Sequence, residues 1–218
     1  MLRAVLIAVA LTAACIGPAG AQVFHDDFDG SSLDPTKWHI DGAGTISVSG
    51  GTATLSSGCG EVFPYVTSVS NPFPTSGDFI LRVGFSYPEP NSGGNGFGAT
   101  TGFTLGGPGT GFWVWQDLCC GGLRASCGDI VVPIGLAWDT SYHVYEWRYL
   151  SGVYSLFVDD HFLAIDQSNF RPVGFFFGHP LSSFCPWSTQ AIDFVDIRAI
   201  GVTPTERSTW SRIKAIYR

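Results

Sequence analysis

The sequence predicts an all-β fold in which two antiparallel sheets pack face to face. Three observations support this. Glycine occurs 28 times and Phe, Trp and Tyr 31 times together (17, 7 and 7), whereas only 13% of residues are charged. Glycine and the aromatic residues favour turns and strands. Short segments alternate between apolar and polar residues, and glycine-rich or proline-rich clusters separate them.

The first 21 residues have the pattern of a secretory signal peptide. Arg3 precedes an uncharged apolar run over 4–14, and Ala19-Gly20-Ala21 predicts cleavage after Ala21. An alternative is lipoprotein processing at Cys15, although the residue three positions before it is Thr12 rather than Leu. The sequence therefore predicts a secreted, periplasmic or cell-surface protein, with no transmembrane segment. Its predicted parts are a leader over 1–21, one domain over 22–201 and a tail over 202–218.

Period-two alternation marks the strands of that domain. Residues 79–86 place Phe79, Leu81, Val83 and Phe85 on one face, and residues 143–149 alternate in the same way. Residues 153–166 predict a hairpin that turns at Asp159-Asp160. The run 175–177 is apolar on both faces, as in a strand inside a sandwich, and 192–200 predicts the closing strand. No helix is predicted before the tail.

Charge is divided unevenly along the chain. Residues 22–204 carry 17 acidic and 6 basic residues, a net charge of −11, and residues 205–218 carry 4 basic and 1 acidic, a net charge of +3. An acidic domain argues against a nucleic-acid partner, which requires a clustered basic surface. In the tail, the spacing of Trp210, Ile213 and Ile216 predicts a short amphipathic helix.

Five cysteines remain after the leader. An exported protein enters an oxidising compartment, so disulfides are expected. An odd number of cysteines leaves one thiol unpaired. Cys119 and Cys120 are adjacent and should not pair with each other. The local candidate is Cys120–Cys127, and a zinc site is disfavoured because the usual C-x₂-C spacing is absent. The two predicted disulfides draw on Cys59, Cys119, Cys120, Cys127 and Cys185.

Three segments resemble one known fold. Residues 24–38, FHDDFDGSSLDPTKW, resemble the opening of concanavalin A-like jelly rolls, which are common in laminarinase-type domains of glycoside hydrolase family 16. Residues 143–160 resemble the central strand and "VDG" hairpin of that group, with Asp160 in place of the usual glycine. Residues 192–197 resemble its closing strand. The resemblance covers about residues 23–200 and implies a two-sheet jelly roll, a fold that serves both enzymes and binding modules.

The acidic motif of the resembling glucanases is missing. Retaining glycosidases need two carboxyl groups about 5–5.5 Å apart, which this family places on one strand face as E-x-D-x-E or E-x-D-x-x-E. The corresponding region, residues 111–120, contains Asp117 as its one acid. None of the four glutamates, Glu61, Glu89, Glu146 and Glu206, has an acid two residues away. Cleavage by the family mechanism is therefore not expected.

Aromatic residues suggest glycan binding instead. Trp113 and Trp115 alternate on one strand, so they share a face that can stack on sugar rings, unless both pack in the core. Gln116 and Asp117 are the nearest polar groups, and Tyr65 and Trp187 are secondary ligand candidates. The sequence thus predicts a secreted, non-catalytic, lectin-like domain that binds a glycan or polysaccharide.

Two alternatives stay open. The first is a divergent glycoside hydrolase or polysaccharide lyase, for which Tyr65, Tyr142, His143, His161 and His179 are possible proton carriers. The second is a structural cell-surface domain that binds protein.

The resemblance also implies one structural calcium ion. Members of the fold often hold Ca²⁺ through backbone carbonyls near the start of the domain and an aspartate on the last strand. The matching positions here are the carbonyls of Asp27 and Gly51 and the side chain of Asp193. Calcium takes six to eight oxygen ligands, so water would complete the shell.

Overall fold

Fifteen strands form two sheets in the computed structural model, which describes residues 21–42, 44–57, 64–89, 97–105, 111–117, 123–127, 130–133, 140–167, 170–178 and 188–201. The strands are β1 Ala21–Asp26, β2 Trp38–Asp41, β3 Thr45–Ser49, β4 Thr52–Ser57, β5 Tyr65–Ser68, β6 Asp78–Glu89, β7 Phe97–Leu105, β8 Gly111–Asp117, β9 Leu123–Cys127, β10 Ile130–Pro133, β11 His143–Leu150, β12 Val153–Val158, β13 His161–Gln167, β14 Pro172–Gly178 and β15 Ser188–Ile200.

Every strand pair is antiparallel. The eight-stranded sheet has the order β13-β12-β11-β6-β15-β4-β3, with β1 added on β15, and the seven-stranded sheet has the order β10-β9-β8-β7-β14-β5-β2. The two-sheet all-β prediction is confirmed. No helix occurs among the described residues, so none there could cross a membrane.

The predicted alternation sets the core. The four residues Phe79, Leu81, Val83 and Phe85 are fully buried on β6, while Arg82 between them is partly exposed. On β11, Tyr145 and Trp147 face the core, and the fully buried Tyr154 and Leu156 continue this face on β12. Period two therefore identified the inward face of each of these strands correctly.

The carboxylate of Asp26 holds the opening segment of the domain in place. It accepts hydrogen bonds from the backbone N–H of Phe28 at 3.0 Å and from Nε1 of Trp38 at 2.6 Å. Nζ of Lys37 lies 3.6 Å from the same carboxylate. Asp26 is buried and its neighbour Asp27 is exposed, as alternation predicts. The carboxylate thus fixes the chain that leaves β1 against a core tryptophan.

The predicted hairpin is present as β12 and β13. Asp159 and Asp160 form its two-residue turn with φ of 49° and 65°, the left-handed geometry that such tight hairpins need. Aspartate tolerates this region better than most residues, which explains how Asp160 replaces glycine. The side chain of Asp159 accepts from the backbone N–H of Val144 at 2.9 Å and contacts Nδ1 of His143 at 2.5 Å.

Candidate functional site

The outer face of the seven-stranded sheet carries the predicted ligand-binding strand. On β8, Phe112 and Val114 are fully buried in the core. Trp113 lies between them and is partly exposed, so its side chain projects from the outer face. The alternative that Trp113 packs between the sheets is therefore wrong.

Strand register extends this face on either side of Trp113. Trp113 pairs with Gly102 on β7, Gly102 pairs with Phe176 on β14, and Phe176 pairs with Thr67 on β5. His39 on β2 pairs with Thr67 and completes the row. Directly paired residues in antiparallel strands project to the same side, so these five positions form one row across the outer face.

Gly111 lets the indole of Trp113 lie close to the sheet, and Gly102 lets the backbones of β7 and β8 approach closely beside it. A Cβ atom built on Gly111 would lie 2.7 Å from Cε3 of Trp113 and in closer contact with Cζ3, so the ring covers this glycine. A Cβ atom on Gly102 would lie 2.6 Å from Cα of Trp113. With no side chain at Gly111, the ring lies against the backbone there, and the side chain of Trp113 stays partly exposed.

A second aromatic group lies toward β5. Phe176 is buried although it is on the outer face, and its ring centre is 5.7 Å from that of Tyr65. Tyr65 is partly exposed, so Phe176 supports it from beneath. Burial, and then the charge of Asp41, raise the pKa of the Tyr65 hydroxyl. Asp41 in turn lies 3.3 Å from Nε2 of His39, and this pair borders the face.

Other predicted ligand residues are placed only by their backbone or not at all. Trp115, Gln116 and Asp117 continue β8, and Trp115 pairs with Thr100 and Arg124. For these three residues the structure describes the backbone path. Trp187 lies outside the described residues, and so do Cys59, Cys119, Cys120 and Cys185. Cys127 ends β9, where its backbone pairs with Phe112 and Ile130. Both predicted disulfides remain predictions.

The sequence matches no family model and no curated protein. The fold is similar to an endo-1,3-beta-glucanase from Streptomyces sioyaensis, with 15% identity, a TM-score of 0.63 and coverage of 85% of this chain and 98% of that one. It is also similar to a Bacillus licheniformis beta-glucanase, with 17% identity, a TM-score of 0.55 and coverage of 82% and 98%. A third similar structure is the CBM2 module of an evolved Dit protein from Lactobacillus casei BL23 phage J-1, with 13% identity, a TM-score of 0.58 and coverage of 84% and 97%.

The chain has a glucanase-type, concanavalin A-like jelly-roll fold. The fold predicted from the three sequence segments is thereby confirmed. Identities this low establish a shared fold and do not transfer an activity.

In this jelly roll, β8 has no glutamate at the positions that share the parity of Trp113. Positions 113, 115 and 117 hold Trp, Trp and Asp. Among the strand residues of this face whose side chains are described, Asp41 is the only carboxylate, and it lies on β2, four strands away from β8 in the sheet order. The described face therefore supplies aromatic surface without the close pair of acids that a retaining glycosidase uses.

Three of the possible proton carriers, Tyr142, His143 and His161, lie on or next to strands of the eight-stranded sheet. His143 pairs with Asp159, and His161 Nδ1 contacts the carbonyl oxygen of Asp159 at 2.8 Å. Burial, and then the charge of Asp193, raise the pKa of Tyr142 far above its ordinary value, which makes this hydroxyl a poor source of protons near neutrality. His179 lies outside the described residues. Except for Tyr65, the described proton carriers are thus not on the face that holds Trp113.

A small cleft also opens on the outer face of the eight-stranded sheet. Its volume is about 200 Å³, and it is lined by Arg82, Val144, Glu146, Asp159 and Asp160. The Nε atoms of Arg82 and Arg148 contact the Glu146 carboxylate, the former at 3.2 Å. The carboxylate of Glu146 at this cleft is therefore paired with two arginines. The described part of the chain contains no group of three His, Cys, Asp or Glu side chains placed to hold a metal.

The positions implied for calcium converge near the start of β4. A Cβ atom on Gly51 would lie 3.7 Å from the carbonyl oxygen of Asp27 and 3.7 Å from Oδ1 of Asp29. The next residue, Thr52, donates a hydrogen bond to Oδ1 of Asp193 at 2.9 Å. Segments distant in sequence thus bring carbonyl and carboxylate oxygens together, and these are the donors that Ca²⁺ prefers.

Sequence reasoning missed the residues that shape the outer face. Phe176 was predicted to be a strand residue inside the sandwich, but alternation cannot reveal that it supports Tyr65. Gly102 and Gly111 gave no signal, because their role depends on the register between β7 and β8.

Proposed function

We propose that the outer face of the seven-stranded sheet binds a glycan and does not cleave it. The observation that carries this proposal is the indole of Trp113, which covers Gly111 on an outer sheet face. Indole and phenol rings stack on the C–H faces of sugars, and sparse polar groups at the border can bind hydroxyls. Tyr65 supplies a second ring on the same face, and the pair of His39 and Asp41 supplies polar atoms.

The similar structures support a carbohydrate ligand in a general way. Two of them are glucanases and one is a CBM2 module. The lack of a described acid pair near Trp113 favours binding over hydrolysis. Each stacked ring contributes about 1 kcal/mol beyond the area it buries. Two rings with a few hydrogen bonds therefore give dissociation constants in the micromolar-to-millimolar range, where 1 mM corresponds to about −4.1 kcal/mol.

Replacing Trp113 with alanine should weaken glycan binding by about tenfold or more, because the stacking surface is lost. The fold should survive, since the side chain is partly exposed. Binding is measured on a glycan array and then by calorimetric titration with the strongest ligand. Phe170→Ala is the matched control, because Phe170 is an exposed aromatic residue (54%) outside the proposed face.

The control variant should bind as the unmodified protein does. If Trp113→Ala unfolds the protein, the ring serves the stability of the sheet and not a ligand, and the proposed face is wrong. If the variant is folded and binds normally, the glycan lies elsewhere.

A structural calcium ion is a second part of the proposal. The carbonyls of Asp27 and Gly51 and the carboxylate of Asp193 would hold it, and Oδ1 of Asp29 is close enough to join them. Bound calcium would tie the end of β1 and the start of β4 to the closing strand β15.

Calcium should raise the melting temperature. A ligand at 100 times its dissociation constant adds about 2.7 kcal/mol of stability, which corresponds to about 5–10 °C for a domain of this size. Thermal unfolding is compared in excess calcium and in excess EDTA, for the unmodified protein and for Asp193→Asn. The shift should disappear in the variant. Equal melting temperatures for the unmodified protein in the two solutions would contradict the calcium site.

A further inference from the structure

Strand β13 is an apolar edge of the eight-stranded sheet. It pairs with β12 on one side, and no strand of the described residues pairs with its other side. Two of its large apolar side chains are more than half exposed, Phe162 at 57% and Ile165 at 53%. Exposed apolar edge strands are sites where another chain can pair, and most proteins protect them with charged residues or proline.

The other edge of the same sheet is different. On β3 the outward side chains are Thr45, Ser47 and Ser49, all exposed, while the apolar Ile46 and Val48 face inward. The unpaired edge strand β3 thus has a polar outer face, whereas the unpaired edge strand β13 has an apolar one. The apolar character belongs to β13 specifically.

A bulge brings the two exposed residues to one face. Phe162 pairs with Phe157 and Ile165 pairs with Ser155, while the irregularity in pairing leaves Leu163 as the extra residue. In a regular strand, residues three apart point to opposite faces. The extra residue in the bulge shifts the alternation by one position, so Phe162 and Ile165 both lie on the outer face.

The outer patch is held in place by its neighbours. The ring centres of Phe162 and Phe157 are 5.7 Å apart in a T-shaped arrangement. The guanidinium of Arg148 lies over the ring of Phe157, 4.0 Å from its centre. An ordered patch loses less conformational freedom when it binds a partner.

We propose that two copies of this chain pair antiparallel through β13, about a two-fold axis between Leu163 and Ala164. In this register each Phe162 lies opposite Ile165 of the other copy, so the four exposed apolar side chains form two cross-strand apolar pairs on the outer face. The same register places His161 opposite Asp166, which is a complementary pair. Both residues share the opposite face, because their partners on β12, Val158 and Tyr154, are buried in the core.

Self-complementarity of this kind closes a dimer, because the β13 edge of each copy is then used by the other. One edge strand and four apolar side chains make a small interface, of the class that associates weakly. The dimer should therefore dissociate between about 1 µM and 1 mM.

Sedimentation velocity over this concentration range tests the proposal, with protein purified after secretion and residues through 218 retained. The unmodified protein should shift from monomer to dimer as concentration rises. Phe162→Lys and Ile165→Lys should each weaken association severalfold, because each substitution disrupts both cross-strand apolar pairs of the interface. Val173→Lys is the matched control, since Val173 is exposed to the same degree (52%) and lies on β14 of the other sheet.

The control should dimerise as the unmodified protein does, and thermal unfolding should show that all variants are folded. Three results would overturn the proposal: a monomer at every concentration, oligomers larger than a dimer, or association that is weakened equally by Val173→Lys and by the β13 substitutions. Association unaffected by either β13 substitution would also overturn it.

Discussion

Gly102→Ala should destabilise the domain by at least about 3 kcal/mol. A Cβ atom at this position would overlap the carbonyl oxygen of Phe112 and lie 2.6 Å from Cα of Trp113. Overpacking against side chains costs about 1–3 kcal/mol, because side chains can rotate away. Here the obstacle is backbone, so β7 and β8 must separate at their paired residues. Urea unfolding should show a large fall in the midpoint.

Gly174→Ala is the matched control for this substitution. Gly174 lies on the adjacent strand β14 and pairs with Thr104 on β7. A Cβ atom there would meet nothing closer than 3.9 Å, the distance to the hydroxyl oxygens of Ser68 and Thr104. Alanine should be neutral or stabilising by up to about 1 kcal/mol, because it restricts the unfolded chain. Equal unfolding free energies for the two variants would show that the β7–β8 register is wrong.

Gln190→Leu should cost about 3 kcal/mol or more. Gln190 is fully buried on β15 and links the two sheets. Its Oε1 accepts from the backbone N–H of Gly178 at 3.2 Å, and its Nε2 donates to the hydroxyl of Thr101 at 2.5 Å. It also hydrogen-bonds Tyr87, whose pKa is raised mainly by burial. Leucine fills a similar volume but leaves these buried groups without that partner, at about 1–3 kcal/mol for each.

The effect should reach the proposed binding face, because Gly178 and Thr101 belong to β14 and β7, the strands of Phe176 and Gly102. Thermal unfolding and glycan binding are both measured. Gln22→Ala is the control, since Gln22 is an exposed residue with one hydrogen bond, to Asp196 at 2.9 Å, and should cost less than about 1 kcal/mol. A melting temperature of Gln190→Leu equal to that of the control would contradict the role assigned to this bridge.

Much of the fold could be predicted because one face of several long strands is almost entirely apolar. The inward residues Phe79, Leu81, Val83 and Phe85 of β6 alternate with Arg82, Gly84 and Ser86, so the period alone identified the core side of this strand. The hairpin at Asp159-Asp160 was also predictable, since few residues tolerate two successive left-handed positions. The resemblance then supplied the arrangement of the sheets, which alternation does not encode.

The candidate site was predictable only in part. Strand β8 is aromatic or aliphatic at positions 112–115, so the sequence does not show which of its two faces packs in the core. Burial of Phe112 and Val114 decides between them, and burial depends on the other sheet. The support that Phe176 gives to Tyr65 arises from pairing between β14 and β5, which are distant in sequence, and the space left by Gly102 depends on the register between β7 and β8. No local pattern reports such pairing.

The central claim, that this face binds a glycan without cleaving it, is tested most directly by measuring binding and product release on the same ligand. The strongest glycan from the array is incubated with the unmodified protein at saturating concentration, and reducing ends are assayed beside a titration that confirms binding. The account predicts saturable binding, lost in Trp113→Ala, with no increase in reducing ends. Release of reducing sugar that is proportional to protein concentration, or saturable binding unchanged in Trp113→Ala, would contradict it.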